Sequence, residues 1–340
     1  MTFFSPDPTL SKEQAALKLA KRLGDKALIE ALEQMLLIRN FELRGEAAYQ
    51  QGLVGGFYHS YTGQEAIQTA CVAAFGQNHW YTGFYRCHAL ALLLGATPEE
   101  LMAELYGKAT GNAKGRGGSM HLYADRLLGG FAIVGGHLPI ACGAAFSLKY
   151  QGKKDQLSLC FMGEGAVAQG AFHESLNLAA LWDLPVVFII ENNQWGMGTH
   201  VSRSICTETI ADRQAESYGM KSYLVNGMDW FESYLAFEHI YREVLETSRP
   251  VLVECVCERF RGHSISDPGL YRTKEALEAA KAKDPILSLK SDLIAQKLID
   301  EKQFKELDKK QREVMISAME FAQKSPAPAT TSLEEDVYAP

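Results

Sequence analysis

The 340-residue chain has no apolar run approaching the ~18 residues that a membrane-spanning helix requires, which excludes a helical membrane protein. Met1 to Leu10 lacks the basic start and apolar middle of a secretory signal. Basic residues are the minority, 34 against 41 acidic, leaving a net charge of −7. This argues against a general nucleic-acid binder, whose surface should be basic. Cysteines number only seven, with neither CxxC nor zinc spacing, and several, such as Cys71, Cys142 and Cys160, sit in apolar company. They are expected to be reduced core residues of a cytoplasmic protein. No internal repeat, low-complexity segment or Walker pattern is present. What remains is an ordinary globular composition, 47% hydrophobic and 22% charged, long enough for one large α/β domain with helical additions.

The stretch that organises the chain is Leu157 to Asn193. It opens with a mostly apolar run to Met162, turns through Gly163-Glu164-Gly165, keeps helical periodicity from Ala166 to Trp182, and closes with the apolar run Val186 to Ile190. Strand, turn, helix and strand make one parallel βαβ unit. Both strands of such a unit end at the same edge, so Glu164 and Asn193 are expected side by side where open α/β sheets bind ligands. A carboxylate and a carboxamide oxygen are hard donors that suit Mg²⁺. Gly165 would let the backbone approach an anion, and the amides of a helix opening at Ala166 would face it. Two other readings fit the same residues. One is a plain crossover with a glycine turn. The other is a dinucleotide site, because GEGAVA satisfies G-x-G-x-x-G/A with Glu191 ending the second strand.

Around this unit, helices are expected from Ser11 and from Asp25 to about Gln51, the latter with Leu28, Leu32, Met35, Leu36 and Phe41 near helical spacing. Gly52 to Gly63 reads as a loop and Gln64 to Ala74 as a helix. Tyr85, Arg86 and His88 cluster before an apolar helix, and a guanidinium in such company suits a phosphate oxygen. The glycine-rich run Gly115 to Gly136 marks tight turns or backbone close to a ligand. Strands at Lys221 to Val225 and Val251 to Glu258, with a helix from Trp230 to Glu246 between them, extend the sheet. The alternation predicts a doubly wound, mostly parallel α/β sheet with helices on both faces. The last strand runs into residues 259–273, whose Arg259, Arg261, Arg272 and His263 are expected to face the edge of Glu164 and Asn193. The expected organisation is an N-terminal helical extension (1–51), an α/β domain (52–273), a C-terminal helical segment (274–325) and a disordered tail (326–340).

Six segments, GFYHSYTGQEA (56–66), GFYRCH (83–88), AKGRGGSMHLYA (113–124), the Gly163 turn with Asn193, ENNQWGMGT (191–199) and RGHSISDPGLYRT (261–273), occur in one order. In these the chain resembles the alpha subunits of the thiamine-diphosphate-dependent 2-oxo acid dehydrogenases, most closely the pyruvate group. Between Gly165 and Asn192 lie 26 residues, a spacing that fits the family's cofactor motif, but Glu164 stands where the family has aspartate.

The resemblance implies thiamine diphosphate and Mg²⁺ as cofactors. Glu164 and Asn193 would hold the metal through their side chains and Trp195 through its carbonyl. Tyr85, Arg86, Arg259 and His263 would contact the diphosphate, with backbone from Gly165 and Ala166, while Ala132 and Val134 would face the cofactor. His59 would line the substrate side, and His263 would also orient the substrate or the incoming lipoyl group. The implied reaction is oxidative decarboxylation of pyruvate with transfer of the two-carbon unit to the lipoyl-bearing acyltransferase component. In this family the beta subunit supplies a glutamate to the cofactor, so the chain is expected to be inactive alone and to work in an α₂β₂ heterotetramer. His59 and Gln64 favour pyruvate. Acetoin-cleaving and branched-chain relatives are the alternatives within the family, and a nucleotide-binding oxidoreductase or a non-catalytic scaffold outside it.

Overall fold

The computed structural model describes residues 3–335 and Val337. Eight strands occur among them: β1 (Trp80–Phe84), β2 (Leu127–Phe131), β3 (Ser158–Gly163), β4 (Val186–Asn192), β5 (Trp195–Gly196), β6 (Thr199–His200), β7 (Lys221–Asn226) and β8 (Val251–Val256). Six of them form one sheet in the order β2-β1-β3-β4-β8-β7, and every neighbouring pair is parallel. β5 and β6 form a separate antiparallel pair.

The sheet is covered on both faces, which is why its central strands read as continuous apolar runs rather than alternating ones. All seven residues of β4 are buried. Side chains alternate across the sheet with period two. Leu159, Phe161, Val187, Ile189, Val251 and Val253 enter one core, shared with the helices α1 (Lys12–Leu23), α2 (Asp25–Gln50) and α3 (Glu65–Phe75). Cys160, Met162, Phe188, Ile190 and Leu252 enter the other. Each such large apolar side chain contributes about 1.5–3 kcal/mol when fully buried, so the two faces together supply the drive for the sheet.

The remaining helices are α4 (His88–Leu93), α5 (Pro98–Leu105), α6 (Leu138–Tyr150), α7 (Gly170–Leu181), α8 (Ile210–Glu216), α9 (Trp230–Thr247), α10 (Lys274–Lys281), α11 (Pro285–Ala295) and α12 (Glu301–Lys324). Local sequence starts several of them. Ser11 with Gln14, Thr97 with Glu100, and Asp300 with Gln303 each form a reciprocal capping box. α6 and α7 pack with α8 on the second face, while Met315, Ala318 and Ala322 of α12 join the first. At the outer edge, the Phe4 N–H donates to the Leu224 carbonyl at 2.7 Å, and the Phe4 ring meets Tyr223 edge-on at 4.7 Å.

Three expectations are corrected. The helix expected from Ala166 begins at Gly170, because Glu164–Ala168 form a 3₁₀ turn and Gln169 is extended at φ −83°, ψ 140°. Buried Ala166 and Val167 carry the apolar periodicity without being part of the α-helix. WYTGF, for which no strand is expected above, is β1, second from the β2 edge and paired with β2 and β3. The described part of the expected disordered tail makes a 3₁₀ turn at Thr330–Glu334, and Arg116 donates to the Ser332 carbonyl at 2.6 Å and the Glu335 carbonyl at 3.3 Å. Asp336 and residues 338–340 lie outside the described residues.

No helix of the described residues is long and apolar enough to cross a membrane. Six of the seven cysteines are buried, Cys206 is exposed, and all seven are free thiols.

Candidate active site

Because the sheet is wholly parallel, the carboxyl ends of β1, β2, β3, β4 and β8 deliver their following residues to one edge. β3 and β4 are in register, Gly163 opposite Glu191, so Glu164 and Asn193 emerge side by side. Tyr85 and Arg86 follow β1, Ala132 and Val134 follow β2, and Arg259 and His263 follow β8. His59 arrives on the segment before α3. There Gly63, at φ +98°, brings the backbone so close to the Glu258 carbonyl that a Cβ would lie 2.5 Å from it. All twelve site residues read from the sequence, from His59 to His263, line one cavity of about 440 Å³. A larger cleft of about 620 Å³ near the start of α9 contains none of them, and its Lys12 and Lys283 are paired with Asp229 at 2.8 Å and Glu258 at 3.5 Å.

The charges in the cavity are unbalanced. Arg86 is buried, and its two terminal nitrogens donate to the carbonyls of Ser60 at 2.8 Å and His263 at 2.6 Å. Burial, followed by repulsion from Arg259, lowers its pKa to about 10. Arg259 is equally buried and donates to the carbonyls of Arg261 at 3.1 Å and Trp195 at 3.2 Å and to the Tyr271 hydroxyl at 2.6 Å. Both guanidiniums are therefore held by neutral acceptors, and the acid facing them, Glu164, is 2% exposed. Burial raises the pKa of Glu164, against the pull of backbone N–H groups and of Arg259 and Arg86. Its Oε2 has no hydrogen-bond partner. Two desolvated cations beside a carboxylate with one unpartnered oxygen form a surface that favours an anion accompanied by a cation.

The rings form a second cluster. His59 lies 4.6 Å from Tyr85 and 5.1 Å from His263, centroid to centroid. Burial, then the charge of Arg86, pushes the His59 imidazole down to about 2 and that of His263 to about 3. Both are neutral at physiological pH, and the Nδ1 atom of each is buried and unpartnered. Asn193 is oriented by its neighbours: its Nδ2 donates to Gln64 Oε1 at 3.3 Å, and its Oδ1 accepts from the Trp195 N–H at 3.3 Å. Among the described residues no group of three or more His, Cys, Asp or Glu could hold a metal. Glu164, Asn193 and the Trp195 carbonyl offer instead one carboxylate, one carboxamide and one backbone oxygen.

Two basic residues expected at this edge turn away from the cavity. Arg261 pairs with Glu46 of α2 at 2.7 Å, and Arg272 donates to the carbonyls of Arg259 and Arg261. Met120, His137 and Met197 line the cavity without having been anticipated. Of these, His137 had a sequence signal, since Pro139 just after a glycine pair marks a helix start. The dinucleotide reading fails on local geometry. GEGAVA makes a 3₁₀ turn rather than opening a helix. Glu191 is fully buried, does not line the cavity, and accepts from the Tyr61 hydroxyl at 2.5 Å and Gln68 Nε2 at 3.0 Å.

Residues 33–331 match the family described as dehydrogenase E1 component. The chain is 40% identical over 312 residues to the pyruvate dehydrogenase E1 component subunit alpha of Rickettsia bellii, covering 91% of this chain and 95% of that one. It is 40% identical over 327 residues to the protein of the same name from Rickettsia conorii, covering 95% and 99%. Against the chloroplastic pyruvate dehydrogenase E1 component subunit alpha-3 of Oryza sativa it is 40% identical over 325 residues, covering 92% and 75%. The matched span takes in all eight strands and every residue of the cavity, and the chain belongs to the dehydrogenase E1 component family of oxidoreductases.

Proposed function

We propose that this chain is the α subunit of a cytoplasmic, thiamine-diphosphate-dependent pyruvate dehydrogenase. It acts with a β subunit as an α₂β₂ heterotetramer and passes an acetyl unit to the lipoyl group of an acyltransferase partner. The observation that carries the reading is the pairing of buried Arg86 and Arg259, held by no carboxylate, with the partnerless Glu164 Oε2 across one cavity. A diphosphate with a divalent cation balances that set. The names of the relatives, all pyruvate dehydrogenase subunits, support the substrate.

Glu164 and Asn193 would hold Mg²⁺, and the Trp195 carbonyl, which accepts from Arg259 with one lone pair, would offer its other lone pair to the metal. These are oxygen donors, as Mg²⁺ prefers, and they leave positions for phosphate and water. Glutamate is one methylene longer than the aspartate expected here, and the 3₁₀ turn at Glu164–Ala168 sets its backbone position. Tyr85, Arg86, Arg259 and His263 would meet the diphosphate, Gly165 and Ala166 would present backbone to it, and Ala132 and Val134 would wall the remainder. Bound thiamine diphosphate supplies a carbon nucleophile and an electron sink for decarboxylation of a 2-oxo acid. His59 and His263, uncharged in the free chain, would orient the oxo acid and the incoming lipoyl group.

The test is oxo-acid-dependent dye reduction by the chain purified with its copurifying partner, with and without thiamine diphosphate and Mg²⁺. Pyruvate is expected to exceed 2-oxoisovalerate and acetoin as substrate. Preference for acetoin would change the substrate, and absence of cofactor-dependent turnover would overturn the proposal.

A further inference from the structure

Behind the cavity wall three buried polar side chains from three separate segments join end to end. They are Glu42 of α2, His88 of α4 and Ser119 of the 3₁₀ turn Gly118–Met120, exposed by 0%, 0% and 2%. The His88 Nδ1 lies 2.8 Å from Glu42 Oε1, and its Nε2 lies 2.8 Å from the Ser119 Oγ and 3.1 Å from the Ser119 carbonyl. The two ends of this chain grip consecutive residues. The Tyr58 hydroxyl donates to Glu42 Oε2 at 2.8 Å, and the His59 N–H donates to the Ser119 Oγ at 3.4 Å.

Residues 58–60 in turn hold the loop after β8. The Tyr58 carbonyl accepts from the Ile265 N–H at 3.0 Å, while Arg86 bridges the carbonyls of Ser60 and His263. Neither Glu42 nor His88 lines the cavity, so neither meets a ligand there. Buried polar groups cost free energy unless fully bonded, and once bonded they hold one geometry. Here the bonds end on the Tyr58 hydroxyl and the His59 N–H, and Ser119 sits beside Met120, which itself faces the cavity.

We infer that Glu42, His88 and Ser119 form a positioning relay that fixes His59 and, through Tyr58 and Ile265, the loop bearing His263. It thereby sets the 5.1 Å spacing of the two imidazoles. The turnover part of the test rests on the proposed pyruvate dehydrogenase reading, whereas the backbone part does not. Ser119→Ala removes the hydroxyl link, His88→Asn keeps a donor toward Glu42 but cannot reach Ser119, and Ser119→Thr restores the hydroxyl.

Hydrogen exchange in the full chain is expected to be about fivefold faster at residues 57–60 in both deletion variants and unchanged in α9. In the enzyme assembled with its partner, kcat with pyruvate is expected to fall about 10- to 100-fold with little change in KM. The double variant should be no worse than either single one, and Ser119→Thr should recover most of the rate. Unchanged exchange at 57–60 would overturn the relay, as would additive losses or a loss of rate that merely follows loss of folded protein. If the parent enzyme fails to turn over pyruvate, the functional reading falls, and the exchange measurement alone decides the relay.

Discussion

The Arg259 guanidinium donates to the Trp195 carbonyl at 3.2 Å, tying the loop after β8 to β5 in the wall of the cavity. The same side chain reaches the Tyr271 hydroxyl and the Arg261 carbonyl, a fork that lysine cannot reproduce. Arg259→Lys is therefore expected to weaken thiamine diphosphate binding by about tenfold, or ~1.4 kcal/mol, although the charge is kept. Calorimetric titration of the assembled enzyme would measure this. Affinity equal to that of the parent would remove Arg259 from the anion site.

Glu164, proposed above as a metal ligand, buries its Oε2 without a hydrogen-bond partner, an arrangement that costs the fold stability. Glu164→Ala is expected to abolish Mg²⁺-dependent cofactor binding while leaving the Tm of the cofactor-free protein unchanged or higher. Glu164→Asp should retain binding or tighten it. Titration with and without Mg²⁺, alongside a melting curve, separates the two effects, and unchanged binding in the alanine variant would sink the ligand assignment.

The two cavity histidines make a prediction for acid stability. Their pKa values fall from 6.5 in the unfolded chain to about 2 for His59 and about 3 for His263 in the folded one. Between pH 6.5 and 3 the unfolded chain therefore binds two protons that the folded chain does not, so stability falls as pH falls. From pH 7 to pH 5 the pair should cost about 4 kcal/mol if both imidazoles were fully desolvated, and about 3 kcal/mol with solvent screening of the partly exposed His263. Urea unfolding of the parent and of a His59→Gln, His263→Gln double variant at both pH values would show the parent losing that much more. Equal losses would mean that the imidazoles are not desolvated as described.

Glu104 offers a purely structural test. Its buried carboxylate accepts the backbone N–H groups of Ala113 and Gly115 through Oε2, at 2.9 and 2.8 Å, and those of Gly117 and Gly118 through Oε1, at 2.7 and 3.2 Å. Those bonds fold the glycine-rich loop that delivers Ser119 and Met120. Glu104→Ala should destabilise the protein by about 3 kcal/mol, since few of the four orphaned donors can be rehydrated in place. Limited proteolysis should cut first within residues 111–118, and first cleavage elsewhere would contradict the role given to Glu104.

The carboxyl-edge placement of Glu164 and Asn193 was legible because the two strands that carry them are apolar enough to be recognised alone. The parallel crossover then left no freedom about which edge they share. β1 was not legible, because WYTGF is short and its burial comes from β2 and β3, which lie far from it in sequence. The start of α7 was misplaced for a related reason. Apolar spacing records which residues face a core, and Ala166 and Val167 face it from a 3₁₀ turn as well as they would from an α-helix. Arg261 was expected at the cavity and is drawn off by Glu46, an acid more than two hundred residues earlier, which no local pattern could reveal. The Glu42–His88–Ser119 chain was equally hidden, since each member taken alone is an unremarkable polar residue in a helix or a loop.

The contact between Phe4 and Leu224 bears on how the protein behaves at high concentration. β7 closes one side of a long parallel sheet, and an uncovered terminal strand is a template on which a second chain can add itself. The Phe4 N–H occupies an outward carbonyl of that strand, and the Phe4 ring covers Tyr223. Phe4 thus acts as a guard against edge-to-edge aggregation, and removing it would leave the cavity intact but make the protein prone to self-association.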